Sequence, residues 1–505
     1  MAEPATVEIA PQATENNLEK VQKLAGRPPW GLRWRSSYWF TTFTVGLGIA
    51  TDLLVYTIII PVMPFHLQTL GYSRVSALSG WLLFAYSAGL VLSTIPIAVF
   101  SESYSMRRTP LIIGLVILLG SQVMLMEAPI YAVMCIARVL QGVGSSMVWV
   151  VGLALLCDVT PEVLIGRQLG IAMGGLSAGT LIGPPVGGAL YSHFGYRGPF
   201  VFGMASTFLD LIARLLLIER KDALKWGVDP KKANNGATEE THDSERVTIQ
   251  PSQSADGLQE TKNENNDVSE HSKHFDSLQA AETSLSEKPQ QKPASLLIVI
   301  VRLAKSSRAL IAFIITFVYG VVFTSQEPSL PLHLQNVWGL DAGKVGLIFL
   351  AAVVPTLFSA PITGWYADKK GSEWVTFICL LLALPWWVVV IIRGPLALFT
   401  VAFAVETFFT SGVISPLTAE LAAIARELEG VGYAHVYGAF NIAYGIGSAV
   451  GPIIGGQVYD NVKHGWTALC LLAAGMLAGS LVLAFYYTGA DPLARRLARS
   501  LKREK

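Results

Sequence analysis

Residues 179–188 read Gly-Thr-Leu-Ile-Gly-Pro-Pro-Val-Gly-Gly, and residues 447–456 read Gly-Ser-Ala-Val-Gly-Pro-Ile-Ile-Gly-Gly. Both stretches have the form G-x-x-x-G-P-x-x-G-G, and both lie late in a long apolar run. Glycines four residues apart share one face of a helix and let a neighbouring backbone approach closely. A proline inside a helix removes one backbone hydrogen bond and favours a bend. The repeat therefore predicts a membrane protein with two matching halves. The candidate hinge residues are Gly183, Pro184, Gly451 and Pro452.

The composition also indicates a membrane protein. Of 505 residues, 52% are hydrophobic and 14% are charged, with a mean hydropathy of +0.48. Soluble domains average about 25% charged residues. The net charge of +1 argues against a nucleic-acid partner. All four cysteines fall in or beside apolar runs without a C-x-x-C pair, so we interpret them as buried hydrophobic side chains, and we expect no metal site and no cofactor.

Twelve apolar runs, six on each side of a polar segment, predict an all-α polytopic membrane protein. The predicted spans are 38–65, 80–100, 110–126, 130–156, 169–191, 200–218, 310–332, 345–366, 376–392, 396–421, 437–458 and 466–487. The segment 220–294 is too polar to build a core, which predicts a disordered cytoplasmic linker. The predicted organisation is an N-terminal tail at 1–37, a six-helix bundle at 38–219, the linker, a second bundle at 295–488 and a basic tail at 489–505.

Lysines and arginines in the short loops predict the orientation. Arg107 and Arg108 follow span 2, Lys369 and Lys370 follow span 8, and the tail after span 12 is basic. Cytoplasmic loops carry an excess of these residues. All of them fall on one side if both termini and the linker are cytoplasmic, which is therefore the predicted orientation.

The two halves match at three separate places. Gly183 of the glycine-proline motif corresponds to Gly451, and Pro64 in the first half corresponds to Pro331 in the second. In the loops, Glu102 corresponds to Asp368. The separation along the chain is nearly the same for all three pairs. Such a constant offset predicts two parallel six-helix halves.

Several motifs resemble those of the major facilitator superfamily, and the resemblance covers nearly the whole chain outside the tails and linker. Residues 364–371 resemble the family's G-x-x-x-D-[RK]-x-G loop, and residues 138–144 resemble its R-x-x-Q-G-x-G signature in span 4. The G-P-x-x-G-G run resembles that of drug:proton antiporters. The resemblance implies two pseudo-symmetric six-helix bundles that transport by alternating access. It also implies a gating role for Asp368, Arg107 and Arg108.

A closer resemblance is to the vesicular amine transporter branch and its fungal relatives. Asp52 matches the aspartate of span 1 in that branch, and Glu327, which begins Glu-Pro-Ser-Leu-Pro, matches its acid in span 7. The sequence departs from the branch elsewhere. Ser411 and Asn441 stand where the acids of spans 10 and 11 are expected, and Ser87 stands at the lysine of span 2. Amine specificity therefore does not follow.

Ionisable residues within spans are costly, by about 3 kcal/mol or more, so each is a candidate for substrate binding or proton coupling. The candidates are Asp52, Glu327, Asp210, Arg138, Glu406 and the amide Asn441. Spans 1 and 7 line the cavity in the implied architecture, so Asp52 and Glu327 could face one another and exchange protons. The alternative is that they only hydrogen-bond to neighbouring helices. Asp210 and Arg214 are spaced for an ion pair. Arg138 could anchor an anion, pair with Asp210 or pack span 4, and Glu406 could replace the missing acid of span 10.

The leading hypothesis is proton-coupled efflux of a small amphiphilic or cationic compound, such as a drug or secondary metabolite, by a monomer in the plasma membrane. The alternatives are a vesicular or vacuolar amine:proton antiporter, and an importer or transport-like receptor of the same fold. The sequence contains no G-x-x-x-x-G-K-[ST], which argues against an ATP-driven pump. It contains no H-E-x-x-H, which argues against a metalloenzyme.

Overall fold

The computed structural model describes residues 29–104, 107–161, 164–231, 302–303, 305–428 and 433–503. Eleven helices in these ranges are long and apolar enough to cross a bilayer. A further helix, Tyr433–Asn461, has 29 residues and occupies the place of the eleventh span. Spans 1–12 are Tyr38–Thr57, Val75–Tyr104, Arg108–Met126, Tyr131–Val159, Ile165–Phe194, Arg197–Leu216, Ser307–Ser325, Ala342–Lys370, Ser372–Val389, Leu396–Ser411 with Ile414–Glu427, Tyr433–Asn461 and Gly465–Tyr487. The short helices are Leu32–Arg35, Met63–Thr69, Arg220–Leu224, Leu330–Trp338 and Leu493–Arg503.

Three spans that the sequence predicts as continuous are interrupted. Span 1 stops at Thr57 and resumes as Met63–Thr69, and span 7 stops at Ser325 and resumes as Leu330–Trp338. Span 10 is interrupted between its two helices. Each break begins close to the residue four positions before a proline. Proline has no N–H to donate to the backbone carbonyl of that residue, and the proline ring clashes with the same carbonyl. The prolines concerned are Pro61, Pro328 and Pro416.

The two halves use the same packing scheme. Span 1 packs on span 5 as span 7 packs on span 11, and span 2 packs on span 4 as span 8 packs on span 10. The halves meet where span 2 packs on span 11 and where span 5 packs on span 8. These contacts place spans 1 and 7 at the centre, each beside the interface between the halves.

The repeated glycines lie where these helices touch within each half. A Cβ atom added at Gly183 would lie 2.0 Å from the Thr57 Oγ1 of span 1, and one at Gly451 would lie 2.2 Å from the Thr324 Oγ1 of span 7. Each threonine hydroxyl also donates to a backbone carbonyl of the glycine-rich helix, at 3.3 Å in both halves. The motif therefore forms the same close helix pair twice.

The prolines of the motif lie on the other side of these helices, where the halves meet. The carbonyl of Pro184 lies 2.4 Å from the Cβ position of Gly346 in span 8, and that of Pro452 lies 2.2 Å from the Cβ position of Gly80 in span 2. Both contacts are on the side opposite the chain termini. Span 5 is helical through Pro184 without a break, so its proposed hinge role stays a prediction.

The structure differs from the prediction at the start of the linker. Arg220–Leu224 is helical, and Ala223 is buried in a cluster with Leu32 and Ile218. Arg220 pairs with Asp229 at 2.9 Å. Although this segment is mostly polar, its few apolar residues pack against the first bundle. Residues 232–294 of the predicted linker and residues 1–28 of the N-terminal tail lie outside the described ranges.

Candidate functional site

Asp52 lies in the interior of the first half. Its side chain is fully buried, and its Oδ2 atom accepts hydrogen bonds from Ser145 at 2.7 Å and from the indole of Trp149 at 2.8 Å. Tyr86 donates to the same oxygen at 3.3 Å. Oδ1 has no partner among the described atoms. Spans 2 and 4 thus hold the aspartate on one side and leave one oxygen for another group.

Glu327 lies in the break of span 7, at the interface between the halves. It is half-buried, and its Oε2 atom accepts a hydrogen bond at 2.8 Å from Tyr56 of span 1. The next two residues also bond to the first half. Ser76 donates to the Pro328 carbonyl at 3.2 Å, and its hydroxyl lies 3.0 Å from that of Ser329. Three consecutive residues of the second half therefore contact the first.

Two tyrosines join the two carboxylates. The rings of Tyr56 and Tyr86 lie 4.7 Å apart between centroids. Tyr86 bonds to Asp52 and Tyr56 bonds to Glu327. The structure brings the two predicted acids into one cluster, although the described contacts include no direct bond between them. The pairing could not be read from the sequence, because Tyr56 and Glu327 are 271 residues apart.

Arg138 lies over both tyrosine rings. Its Cζ atom is 5.0 Å from the centroid of Tyr86 and 5.4 Å from that of Tyr56, within the range of a cation–π interaction. The fully buried guanidinium donates to Gln141 at 2.6 Å and is close enough to Asp52 and Glu327 to interact electrostatically with both. The guanidinium of Arg138 thus interacts with both carboxylates.

Asp210 pairs with Arg214 rather than with Arg138. Their Oδ1 and Nε atoms are 3.3 Å apart, and both side chains are buried. A Cβ atom at Gly48 would lie 2.0 Å from Arg214 Nη2. Because Gly48 is one helical turn before Asp52, the pair lies next to the aspartate in the first half. The spacing of Asp210 and Arg214 indicated this ion pair as one of two roles, and a role of Asp210 in transport stays a prediction.

Glu406 is a separate buried acid in the second half. It accepts hydrogen bonds from Thr410 at 3.1 Å and from Thr407 at 3.2 Å, and Gln326, next to Glu327, approaches it. In the repeat, Glu406 of span 10 corresponds to Arg138 of span 4, because the two are separated by the same offset as Gly183 and Gly451. The two halves therefore place opposite charges at equivalent positions.

The remaining candidates lie outside this cluster. Asn441 is exposed on span 11. Arg107 pairs with Asp158 at 3.0 Å, and the backbone N–H groups of Arg107 and Arg108 donate to Glu219, so these contacts stay within the first half. Asp368 lies near the end of span 8, and its side chain is outside the described set.

Two of the residues that bind Asp52 were not identified from the sequence. Ser145 and Trp149 continue a stripe that begins with Arg138 and Gln141, at helical positions i, i+3, i+7 and i+11. Such spacing puts all four on one face of span 4. A polar stripe on a membrane helix was the available signal.

The comparisons with known proteins agree with this architecture. The sequence profile of the Major Facilitator Superfamily matches residues 38–325 and 312–504. The chain belongs to this superfamily. It is thus an integral multi-pass membrane protein of a family of transporters for small molecules, which are not enzymes.

Similar proteins include fungal and animal transporters. An uncharacterised MFS-type transporter of Schizosaccharomyces pombe is 26% identical over 88% of this chain and 96% of its own length. The MFS-type transporter ppzB of Metarhizium rileyi is 23% identical over 91% and 97%. The synaptic vesicular amine transporter of Rattus norvegicus is 25% identical over 76% of this chain and 62% of its own.

The solved structures agree on the fold. A bacterial homologue of the human lysosomal transporter Spinster, in an inward-facing and unoccupied conformation, superposes with a TM-score of 0.60 at 14% identity, covering 91% of this chain and 95% of its own. A D-xylose-proton symporter superposes with a TM-score of 0.61 at 13% identity, covering 90% and 98%.

Proposed function

We propose that the protein is a proton-coupled exporter that exchanges protons for a small organic cation or amphiphile. The observation that carries this proposal is the hydrogen bond between Tyr56 and Glu327, because it links an acid of one half to the Asp52 cluster of the other. A site shared by both halves is where alternating access must act. The similarity to a vesicular amine transporter supports a cationic substrate.

Charge balance gives the exchange its stoichiometry. With both carboxylates ionised, Asp52, Glu327 and Arg138 carry one net negative charge. Leaving a charge uncompensated at the centre of the bilayer costs about 3 kcal/mol or more. Either one proton or one monovalent substrate cation neutralises the cluster. When one of them is bound, the other is no longer needed for neutrality. The cluster therefore exchanges one proton for one substrate cation.

The two acids have different parts in this exchange. Glu327 is half-buried in the break of span 7, so it is the one that meets the substrate. Asp52 is fully buried and its Oδ1 atom has no partner among the described atoms, so it holds the proton there. The rings of Tyr319, Phe323 and Tyr444 stack in series on the second-half side and offer faces for an organic cation.

The turn at Glu327 links protonation to movement. Its neighbours Pro328 and Ser329 bond to Ser76 of span 2, and Ser329 also donates to the carbonyl of Gly455 at 3.0 Å. A substrate cation that binds Glu327 and displaces the proton from the cluster replaces the bond from Tyr56. The same turn then transmits the change to spans 2 and 11, which form the interface. Population of inward- and outward-open states shifts accordingly.

We place both termini, and the segment between the halves, in the cytoplasm, with the protein acting as a monomer in the plasma membrane. The basic loops support this orientation. A vacuolar amine:proton antiporter is the second candidate, supported by the same similarity to a vesicular transporter. Direction-resolved transport in sealed vesicles of known sidedness separates export, vacuolar loading and import.

The test uses the purified full chain in proteoliposomes with an imposed pH gradient and ethidium as the cationic probe, alongside a panel of amphiphiles. We expect Glu327→Gln and Asp52→Asn to reduce gradient-driven transport at least tenfold while expression is retained. The matched control is Glu127→Gln, because Glu127 forms an exposed ion pair with Arg197 far from the cluster. Transport at the wild-type rate by both cluster variants would refute the proposal. Glu406→Gln, assayed in parallel, reports whether a third acid takes part.

A further inference from the structure

The N-terminus of span 2 is capped by a residue of the other half. The backbone N–H of Ala77 donates to the Oδ2 atom of Asp460 at 2.7 Å, and Asp460 is the penultimate residue of span 11. The repeat places a matching contact at the other interface between the halves, where span 5 packs on span 8. There the N–H of Gly343, at the start of span 8, donates to the hydroxyl of Ser192 at 3.1 Å.

These contacts occupy equivalent positions in the two halves. Ala77 corresponds to Gly343, and Ser192 corresponds to Asp460, because both pairs are separated by the offset of the repeat. In each case a side chain at the end of span 5 or 11 binds the first turn of the span that faces it across the interface. Both contacts are on the side opposite the termini.

The two helices differ in whether their N-terminus has an acidic cap from its own half. Span 8 has an acidic cap of its own, because Asp341 accepts from the N–H of Lys344 at 2.9 Å. The residue before span 2 is Arg74, whose side chain has no acceptor atom and cannot cap the helix. The first N–H groups of a helix carry partial positive charge and favour a carboxylate. Span 2 therefore obtains its acid from the opposite half.

This cap exists only while the halves are in contact. Beside it, a Cβ atom at Gly456 would lie 2.4 Å from the carbonyl of Ser76, so the two backbones touch. Separating spans 2 and 11 would leave the Ala77 N–H without Asp460. The nearby charged and titratable side chains are Arg74, which interacts with Asp460, and Tyr459.

We infer that Asp460 is a positioning residue that holds the gate opposite the termini closed, with Ser192 as its weaker counterpart. The inference rests on the proposed alternating access of the two halves. Removing an N-cap side chain typically changes stability by about 1 kcal/mol, a factor of about five in an equilibrium. Asp460→Ala should therefore raise the population open at this gate about fivefold.

The test measures opening directly and requires no substrate. Spin labels are attached through an unnatural amino acid at Gln68 and Val462, which are exposed on opposite halves at this face, and the full chain is placed in nanodiscs. Double electron–electron resonance then gives the distance distribution. We expect Asp460→Ala to increase the long-distance population about fivefold, and Asp460→Asn, which keeps an acceptor oxygen but loses the charge, to increase it less.

Asp341→Asn is the matched control, because Asp341 caps a helix of its own half and its bond to the Lys344 N–H does not cross the interface. An unchanged distribution in Asp460→Ala, or an equal shift in Asp341→Asn, would overturn the inference. The outcome is separate from that of the transport assay. A distance shift in Asp460→Ala together with normal transport by both Glu327→Gln and Asp52→Asn would retain the gate and reject the proton-coupling site.

Discussion

Adding one methyl group at Gly183 should force spans 1 and 5 apart. The new Cβ atom would lie 2.0 Å from Thr57 Oγ1, 3.1 Å from Thr57 Cβ and 3.2 Å from the backbone nitrogen of Ile58. Overpacking of this kind costs about 1–3 kcal/mol, and the better helix propensity of alanine returns at most about 1 kcal/mol. The overlap is severe, so we expect a net loss of about 2 kcal/mol. At about 2–4 °C per kcal/mol, the apparent Tm of Gly183→Ala should fall by about 4–8 °C.

The structure also supplies a control variant and two double variants, of which one should recover stability and the other should not. Gly174, also in span 5, has no atom within 4 Å of its Cβ position, so Gly174→Ala should leave the Tm unchanged or slightly raised. Thr57→Ala removes the clashing hydroxyl and should recover much of the loss in Gly183→Ala. Thr324→Ala should not rescue Gly451→Ala, because the carbonyl of Val321 also lies 2.6 Å from that Cβ position and cannot be removed.

The assay is thermal unfolding of the purified full chain in detergent, followed by tryptophan fluorescence. Each double variant is compared with its threonine single variant, so that loss of the threonine's own hydrogen bond is subtracted. Equal Tm values for Gly183→Ala and Gly174→Ala would refute the claim of close packing. Rescue of Gly451→Ala by Thr324→Ala would refute the atomic assignment of the clash.

Three further variants test the polar interior of the first half. Asp210→Asn leaves Arg214 as an uncompensated buried charge at a cost of about 3–5 kcal/mol; the apparent Tm should fall by about 10 °C, and replacing both residues with leucine should restore most of it, whereas a silent single variant would contradict the buried pair. Gly48→Ala places Cβ 2.0 Å from Arg214 Nη2 and should lower the Tm in the wild type but not in the double-leucine background; equal losses in both would place the clash elsewhere. Tyr56→Phe removes a hydrogen bond to the Glu327 carboxylate, worth about 1.5–3 kcal/mol, and should slow gradient-driven transport about tenfold at equal expression; an unchanged rate would mean that this bond does not couple the halves.

The fold was accessible from the sequence because its determinants are local and repeated. Apolar runs of the right length predict the spans, and the constant offset from Gly183 to Gly451 predicts the two halves. The breaks in spans 1, 7 and 10 were not predicted. Proline alone does not mark them, since span 5 continues through Pro184 while span 1 stops four residues before Pro61.

Only part of the candidate site could be predicted from the sequence. Asp52 and Glu327 stand out because charge is rare in apolar runs, and Asp210 with Arg214 because they are one helical turn apart. The tyrosine bridge and the placement of Arg138 between the acids depend on packing between spans that are far apart in the chain. Asn441 is exposed on span 11 and lies outside the cluster, so its part in transport stays a prediction.

The anchoring of the chain on both sides of the polar segment has a mechanical consequence. After span 6, the N–H of Ile218 donates to the carbonyl of Arg35 at 3.2 Å. At the start of span 7, Arg308 binds Glu420 and Glu427, each at 2.7 Å. A force along the segment between these contacts would have to break them before it reached the bundles. The proposed movement of the two halves would therefore be insulated from events along the segment between these contacts.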